Sequence, residues 1–569
     1  MKIKTKNILA GLVATAFLFT SCNEDEILKD WIDKNQIEEP VDPGPLTGSA
    51  GAELDLSNLV VLGTSLGAGF QDGALYSAGQ ANSFAALIGA QLQAQGIGGT
   101  TDFGQPDINS VNGYNMLAND GTSGKYVLSL SAQAPVTTTG EIASILTPWG
   151  GTTSTLNNFS VPLAQSPQLV VAATGGPVTD TYGGAVPAAN NPAYNPFYRR
   201  FASNPSADGS SGSTPLTDAL SAGGTFYIYE AGLNDVALYA AGGGTTAIGP
   251  LTDVGTFGAV TSSAIEALTT AGGTSPYGIE GVVLTVPPIL VFPFFQAVQW
   301  NAITLDAATA ETLNTSFASV NGAIDGAVAA GWSGAGADAR DARKVTYAEG
   351  KNPILVVDSD LDDLGPYWDA LVGAEQMSIA QRTQLEPYRQ SRPMVAGEYV
   401  PLSTGAVLGT EADGDDSEAN TPLGVAIPLG FDLLEGELEP LAGDQYYINA
   451  AEVVEIETAR GQFNASLAAS VADMNSEAKG GNVILVDIGA IFLDAAGLSD
   501  GVKGITTQGV TYTPDFLPNG IFSTDGLHPC QRGHGIIANA IINAINTNYA
   551  GANIPEVTVQ ALSFPPYQL

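Results

Sequence analysis

The feature that most constrains this chain is Asn58-Leu-Val-Val-Leu62, an apolar run that leads straight into Gly63-Thr64-Ser65-Leu66-Gly67. A short run of Val and Leu suits a parallel strand buried on both faces. Glycines at its exit permit a tight turn and close backbone approach, which present one hydroxyl at the C-terminal end of the strand, where parallel sheets place functional groups. A chain built around such a turn belongs among α/β architectures. Taken alone, Ser65 is better read as a cap for the following helix, so function rests on what lies downstream.

The first residues form a secretory leader. Met1-Lys-Ile-Lys-Thr-Lys6 is followed by an apolar segment from Ile8 to Phe19 and then by Leu18-Phe-Thr-Ser-Cys22. The apolar segment is too short to span a bilayer, and a small residue directly before a cysteine resembles the bacterial lipobox, in which the cysteine is lipidated and becomes the mature N-terminus. Residues 1–21 are therefore expected to be a lipoprotein signal peptide, with Cys22 the lipidation site and acyl chains the anchor. The cluster Glu24-Asp25-Glu26 resembles the signal that sends Bacteroidetes-type lipoproteins to the cell surface, although a solvated linker explains it as well. Residues 22–52, acidic and then rich in Pro and Gly, are expected to be a flexible tether, and 53–569 to be a single domain. The expected location is the bacterial outer membrane, with the cell surface as its extension.

Of the 19 Lys and Arg, Lys2, Lys4 and Lys6 lie in the leader, which leaves 16 against 58 Asp and Glu, a formal charge of −42. Such a surface repels nucleic acid and anionic lipid, so neither is expected as a partner, and a monomer kept soluble by its own repulsion is. The acidic runs Asp358–Asp363 and Glu411–Asp416 lack the spacing of a calcium loop and are taken as solvated. With only two histidines, His528 and His534, and no cluster of Cys or His that supplies three or four zinc ligands, no metal or cofactor is expected. Cys530, left without a partner once Cys22 is lipidated, is read as a packing residue.

Along the chain, helical spacing of apolar residues predicts helices over 82–92, 254–271 and 448–476, and a last one after Pro529 with Ile536, Ile537, Ala540, Ile541 and Ile545 on its apolar face. Strands are predicted at Thr225–Glu230, Gly281–Val286 and Asn482–Asp487. The proline-broken stretch from Gly281 to Phe295 is a strand and an apolar loop, too short to cross a membrane. Residues 290–445 fit the alternating pattern poorly. With one strand candidate, Pro353–Asp358, they are read as a large insertion on the C-terminal face of the sheet that shapes a substrate pocket.

Three stations converge on one chemistry: Ser65 after the first strand, Asn234 in Gly232-Leu-Asn-Asp235 after a later one, and Asp525-Gly-Leu-His528-Pro529 before the final helix. In order and spacing they resemble the SGNH, or GDSL, hydrolase family over nearly all of residues 55 to 548. Thr225–Tyr239 and Asn195–Phe201 resemble its large exported branch, found as lipoproteins in Bacteroidetes. The resemblance implies a flavodoxin-like, three-layer α/β/α domain with a parallel sheet, and a carboxylic ester hydrolase of esterase or lipase type. Ser65 would be the nucleophile, His528 its base and then its acid, and Asp525 the carboxylate that orients the imidazole. The backbone N–H of Ser65, a backbone N–H from the second motif and the Asn234 amide would form the oxyanion hole.

Two departures stand out. Where the family has Gly-Asp-Ser-Leu, this chain has Gly63-Thr-Ser-Leu66, so the carboxylate beside the nucleophile is absent. Where the second motif has Gly, the best match, Asn158-Phe-Ser-Val-Pro-Leu-Ala164, offers Leu163, with Gly113 the less favoured substitute. His534, in Arg532-Gly-His-Gly, is expected on the surface at the helix start, and Asn234 has a helix cap as its rival role. The substrate is expected to be a small-molecule, lipid or glycan ester. The competing class is a surface lipoprotein that uses the fold as a binding scaffold; Thr64 and Leu163 speak for it, and Ser65, Asn234, Asp525 and His528 against it.

Overall fold

In the computed structural model the run Leu59–Leu62 forms strand β1, every residue of it buried. Burial of each such Val or Leu contributes about 1.5–3 kcal/mol. The structure describes residues 54–96, 103–116, 122–129, 134–145, 147–177, 191–270, 280–335, 339–410, 422–434, 437–440, 445–499, 501–515, 519–549, 551–563 and 567–568. The leader, Cys22, the tether and the acidic run 411–416 lie outside them. Among the described residues no helix is long and apolar enough to cross a membrane.

Helix α1 (Phe84–Ala94) follows, with Ser83 as its N-cap accepting from the N–H of Ala86 at 3.1 Å. Strand β2 (Phe226–Tyr229) lies parallel to β1, Leu59 opposite Phe226 and Leu62 opposite Tyr229. Helices α2 (Leu233–Ala241) and α3 (Val254–Thr270) lead to β3 (Glu280–Leu284), parallel to β2. Helix α4 (Ala450–Met474), strand β4 (Val483–Val486), parallel to β3, and helix α5 (Gln531–Asn548) complete the alternation. Apart from α2, for which no helix was predicted, each of these elements falls within a residue or two of its sequence prediction, because their apolar periods are long and uninterrupted.

The strands lie in the order β1-β2-β3-β4. On the outer side of β1 the segment 157–161 runs parallel in an irregular ladder: the N–H of Val61 donates to Asn157 O at 2.8 Å, that of Phe159 to Val61 O at 2.8 Å and that of Val161 to Gly63 O at 3.0 Å. The chain therefore leaves β1 toward one edge and returns on its other side at β2. Such reversals place functional groups at the carboxyl ends of the strands beside them, and Ser65 and Glu230 follow the ends of β1 and β2.

Two compact units are present. One comprises Leu251–Pro293, Glu457–Leu569 and the described part of Gln36–Ala237, and holds the sheet. The other comprises Leu238–Pro250 and Phe294–Ile456. Its core gathers Trp332, Tyr347, Leu355, Val356, Trp368, Leu429 and Tyr447. Strand Leu355–Val357, inside the predicted Pro353–Asp358, pairs antiparallel with Ser391–Pro393. The same unit contains a helix of 23 residues, Ala307–Ala329, capped by Asp306, that the sequence reading passed over as loop. Asp358 ion-pairs with Arg392 at 2.6 Å, so that end of the first acidic run is tied into the unit rather than free in solvent.

Candidate functional site

Ser65 opens a single helical turn, Ser65–Ala68, directly after β1. The turn is held by a buried carboxylate from the neighbouring strand: Glu230 accepts from the Thr64 N–H at 2.8 Å, the Thr64 hydroxyl at 2.8 Å and the Gly67 N–H at 3.2 Å. Burial raises the Glu230 carboxyl above its ordinary range, and these three donors pull it back. Gly63 and Gly67 are required here, since a Cβ on Gly63 would lie 2.9 Å from Glu230 Oε2 and one on Gly67 would lie 2.2 Å from Ser160 Oγ. The sequence reading missed Glu230; its signal was a lone acid at the end of the apolar run Thr225–Tyr229.

Two donors from separate elements converge on the Ser65 hydroxyl. The backbone N–H of Leu163 reaches Oγ at 2.9 Å, and Asn234 Nδ2 reaches it at 3.1 Å, while Asn234 Oδ1 lies 3.3 Å from the same oxygen as acceptor. Leu163 achieves this with φ at +57°, in the left-handed region that favours glycine. Its side chain is half-buried against a cluster that contains Phe70, Ile108, Tyr114 and Phe197. The Leu163 loop is fastened by the start of α2: Asn234 Nδ2 also donates to Ala164 O at 2.9 Å, and buried Asp235 accepts from the Ser166 N–H at 3.0 Å and its hydroxyl at 2.7 Å. Burial raises the Asp235 carboxyl, and the Ser166 contacts oppose the rise. Gly113 lies elsewhere, its N–H donated to Ser110 Oγ at 2.9 Å and its carbonyl accepting from Ala143.

Asp525 and His528 form a buried pair, with Nδ1 and Oδ2 2.9 Å apart. Burial pushes the Asp525 carboxyl up, but His528, its backbone N–H and that of Gly73 outweigh this and hold it below its usual value. Phe70 packs its ring edge-on to the His528 imidazole at 5.0 Å between centroids. The Ser65 hydroxyl bonds to Leu163 and Asn234, and no hydrogen bond joins it to His528 among the described residues. Such contacts often tighten only with substrate in place.

His534 departs from expectation. It was placed on the surface, yet it is fully buried, because the face of α5 that carries it packs on the start of α1, where the N–H of Phe84 lies 3.4 Å from His534 Nδ1. Burial drives its imidazole pKa down to about 3, which keeps the ring neutral. Cys530 is also buried, its thiol pushed up to about 12 chiefly by desolvation, which suits packing rather than nucleophilic use.

The arrangement thus brings Ser65, Asn234 and Leu163 to one oxygen and pairs Asp525 with His528, each from a different part of the chain. Comparison with curated proteins and with solved structures returned no match. Residues 419–541, the stretch that carries α4, β4 and the Asp525–His528 pair, match the family model described as GDSL-like Lipase/Acylhydrolase, so this part of the chain is similar to the SGNH/GDSL-type hydrolases.

Proposed function

We propose that the protein is a serine esterase that cleaves carboxylic esters through an acyl-serine intermediate on a three-layer, flavodoxin-like α/β/α domain. The observation that carries the reading is the convergence of the Leu163 N–H and the Asn234 amide on Ser65 Oγ. Two N–H donors that reach the nucleophile's own oxygen are placed to turn to the carbonyl oxygen of an ester bound against it, which is what a tetrahedral oxyanion requires. When an ester carbonyl takes these donors, the hydroxyl is released to turn toward His528. The imidazole then accepts the serine proton as the new C–O bond forms and passes it to the departing alkoxide. Asp525, accepting from Nδ1, fixes the tautomer that leaves Nε2 free for this work and stabilises the imidazolium. Water, deprotonated by the same imidazole, hydrolyses the acyl-serine.

The envelope anchor belongs to the same reading: acyl chains on Cys22, followed by the tether 22–52, would hold the domain at the outer membrane, on the cell surface if Glu24-Asp-Glu26 acts as an export signal. A small-molecule, lipid or glycan ester would be the substrate of a monomer. The binding-scaffold reading has one specific observation in its favour, the Ser65 hydroxyl bonded to Asn234 rather than to His528. Kinetics on p-nitrophenyl esters separate the two. Ser65→Ala and His528→Ala each abolish nearly all hydrolysis, the double variant loses little more, and Asn234→Ala lowers kcat by about two to three orders of magnitude. Full activity in Ser65→Ala would overturn the esterase reading.

A further inference from the structure

The loop that carries Ser65 does not end its work at the nucleophile. Seven residues on, Asp72 adopts φ +55°, a left-handed conformation that a non-glycine residue rarely takes, and its side chain is buried. Its carboxylate accepts from the Thr524 N–H at 2.8 Å, the Thr524 hydroxyl at 2.7 Å and the Tyr76 hydroxyl at 2.7 Å. Its own N–H donates to Ser523 Oγ at 2.9 Å, and the next N–H, that of Gly73, donates to Asp525 Oδ2 at 2.9 Å. Residues 72 and 73 therefore grip three consecutive residues, 523 to 525, and the last grip is on the oxygen that faces His528 Nδ1. Gly73 has no room for a side chain, since a Cβ there would lie 2.7 Å from the Tyr126 ring.

We propose that Asp72 is a positioning residue, which locks the Ser523–His528 loop to the nucleophile loop through Thr524 and so sets the reach between Ser65 and the Asp525–His528 pair. The proposal rests on the esterase reading for its catalytic consequence, but the lock is a property of the two loops. One loop, 65–73, holds the hydroxyl at its start and the carboxylate of the pair at its end. A buried carboxylate with three donors on it stays in place only while all three are satisfied. Its removal leaves Thr524, which directly precedes Asp525, with only the weaker bond of its hydroxyl to Tyr126 O at 3.2 Å, and lets the imidazole drift by a fraction of an ångström, enough to slow proton transfer without altering substrate affinity.

Two readouts on the full chain test this. The first is the low-field proton resonance of His528 Nδ1–H, recorded in the Ser65→Ala background and assigned by its loss in His528→Gln. It persists in Asp72→Asn, which keeps an oxygen for Thr524, and broadens or moves upfield in Asp72→Ala. The second is the split of kcat from KM on p-nitrophenyl acetate. Asp72→Ala lowers kcat by about tenfold to a hundredfold with KM nearly unchanged, Asp72→Asn recovers most of the loss, and Asp72→Ala adds little once Asp525→Asn is present. Folded Asp72→Ala with both the resonance and kcat of its parent overturns the proposal. If that variant fails to fold, Thr524→Val decides: a shifted resonance supports the lock, and an unchanged one overturns it. Absence of ester hydrolysis in the wild-type chain would remove the esterase reading alone, with the resonance still deciding the role of Asp72.

Discussion

The Glu230 carboxylate takes both hydrogen-bond donors of Thr64, its N–H and its hydroxyl, each at 2.8 Å. A buried carboxylate thus lies beside the residue that precedes Ser65, supplied from the end of the adjacent strand. Thr64→Asp would set two carboxylates in one buried site. It is expected to lower Tm and to reduce ester hydrolysis at least about tenfold, because like charges this close cannot both ionise. Glu230→Gln in the same chain should recover much of both. Glu230→Ala alone leaves three buried donors unpaired, at about 1–3 kcal/mol each, and should be the more damaging single change in thermal unfolding.

Leu163 holds its N–H on Ser65 from a left-handed backbone. Leu163→Gly removes about 1–2 kcal/mol of backbone strain but also the packing of a half-buried side chain. The N–H itself survives, so kcat on p-nitrophenyl acetate is expected to hold or rise. Loss of activity with an unchanged far-UV spectrum would show that the side chain, rather than the N–H, is what the site needs.

His534 gives a pH dependence with a definite sign. Its folded pKa of about 3 lies below the ordinary 6.5, so the unfolded chain binds a proton first as pH falls. Stability is unaffected by this group above about pH 6.5 and is lost progressively from there toward pH 3. Asp525, with its lowered carboxyl, adds to acid lability at the lower end, below its ordinary 3.8. Denaturant unfolding of wild type and His534→Leu between pH 7 and 4 should show a shallower slope in the variant. Equal slopes would mean that His534 does not stay neutral in the fold.

The reach of sequence reading follows physical lines. Parallel strands such as β1 and β4 announce themselves because burial on both faces demands unbroken Val, Ile and Leu. Ser65, Asn234, Asp525 and His528 stood out by their order along the chain, and the structure brings Ser65 to Asn234 and Asp525 to His528. The helix Ala307–Ala329 was not, since its core positions Ala310, Ala323 and Ala327 are small and leave Phe317, Val320 and Ile324 as a thin apolar stripe. Glu230, Asp72 and the burial of His534 depend on contacts across 166, 452 and 450 residues, which no local pattern encodes.

The central claim is that Ser65 is an activated nucleophile, and covalent labelling tests it most directly. The purified chain is treated with a fluorophosphonate and the modified peptide is located by mass spectrometry. A single adduct on Ser65 is expected, absent in Ser65→Ala and formed far more slowly in His528→Ala. An unlabelled wild-type protein, or an adduct that persists in Ser65→Ala, would contradict the account.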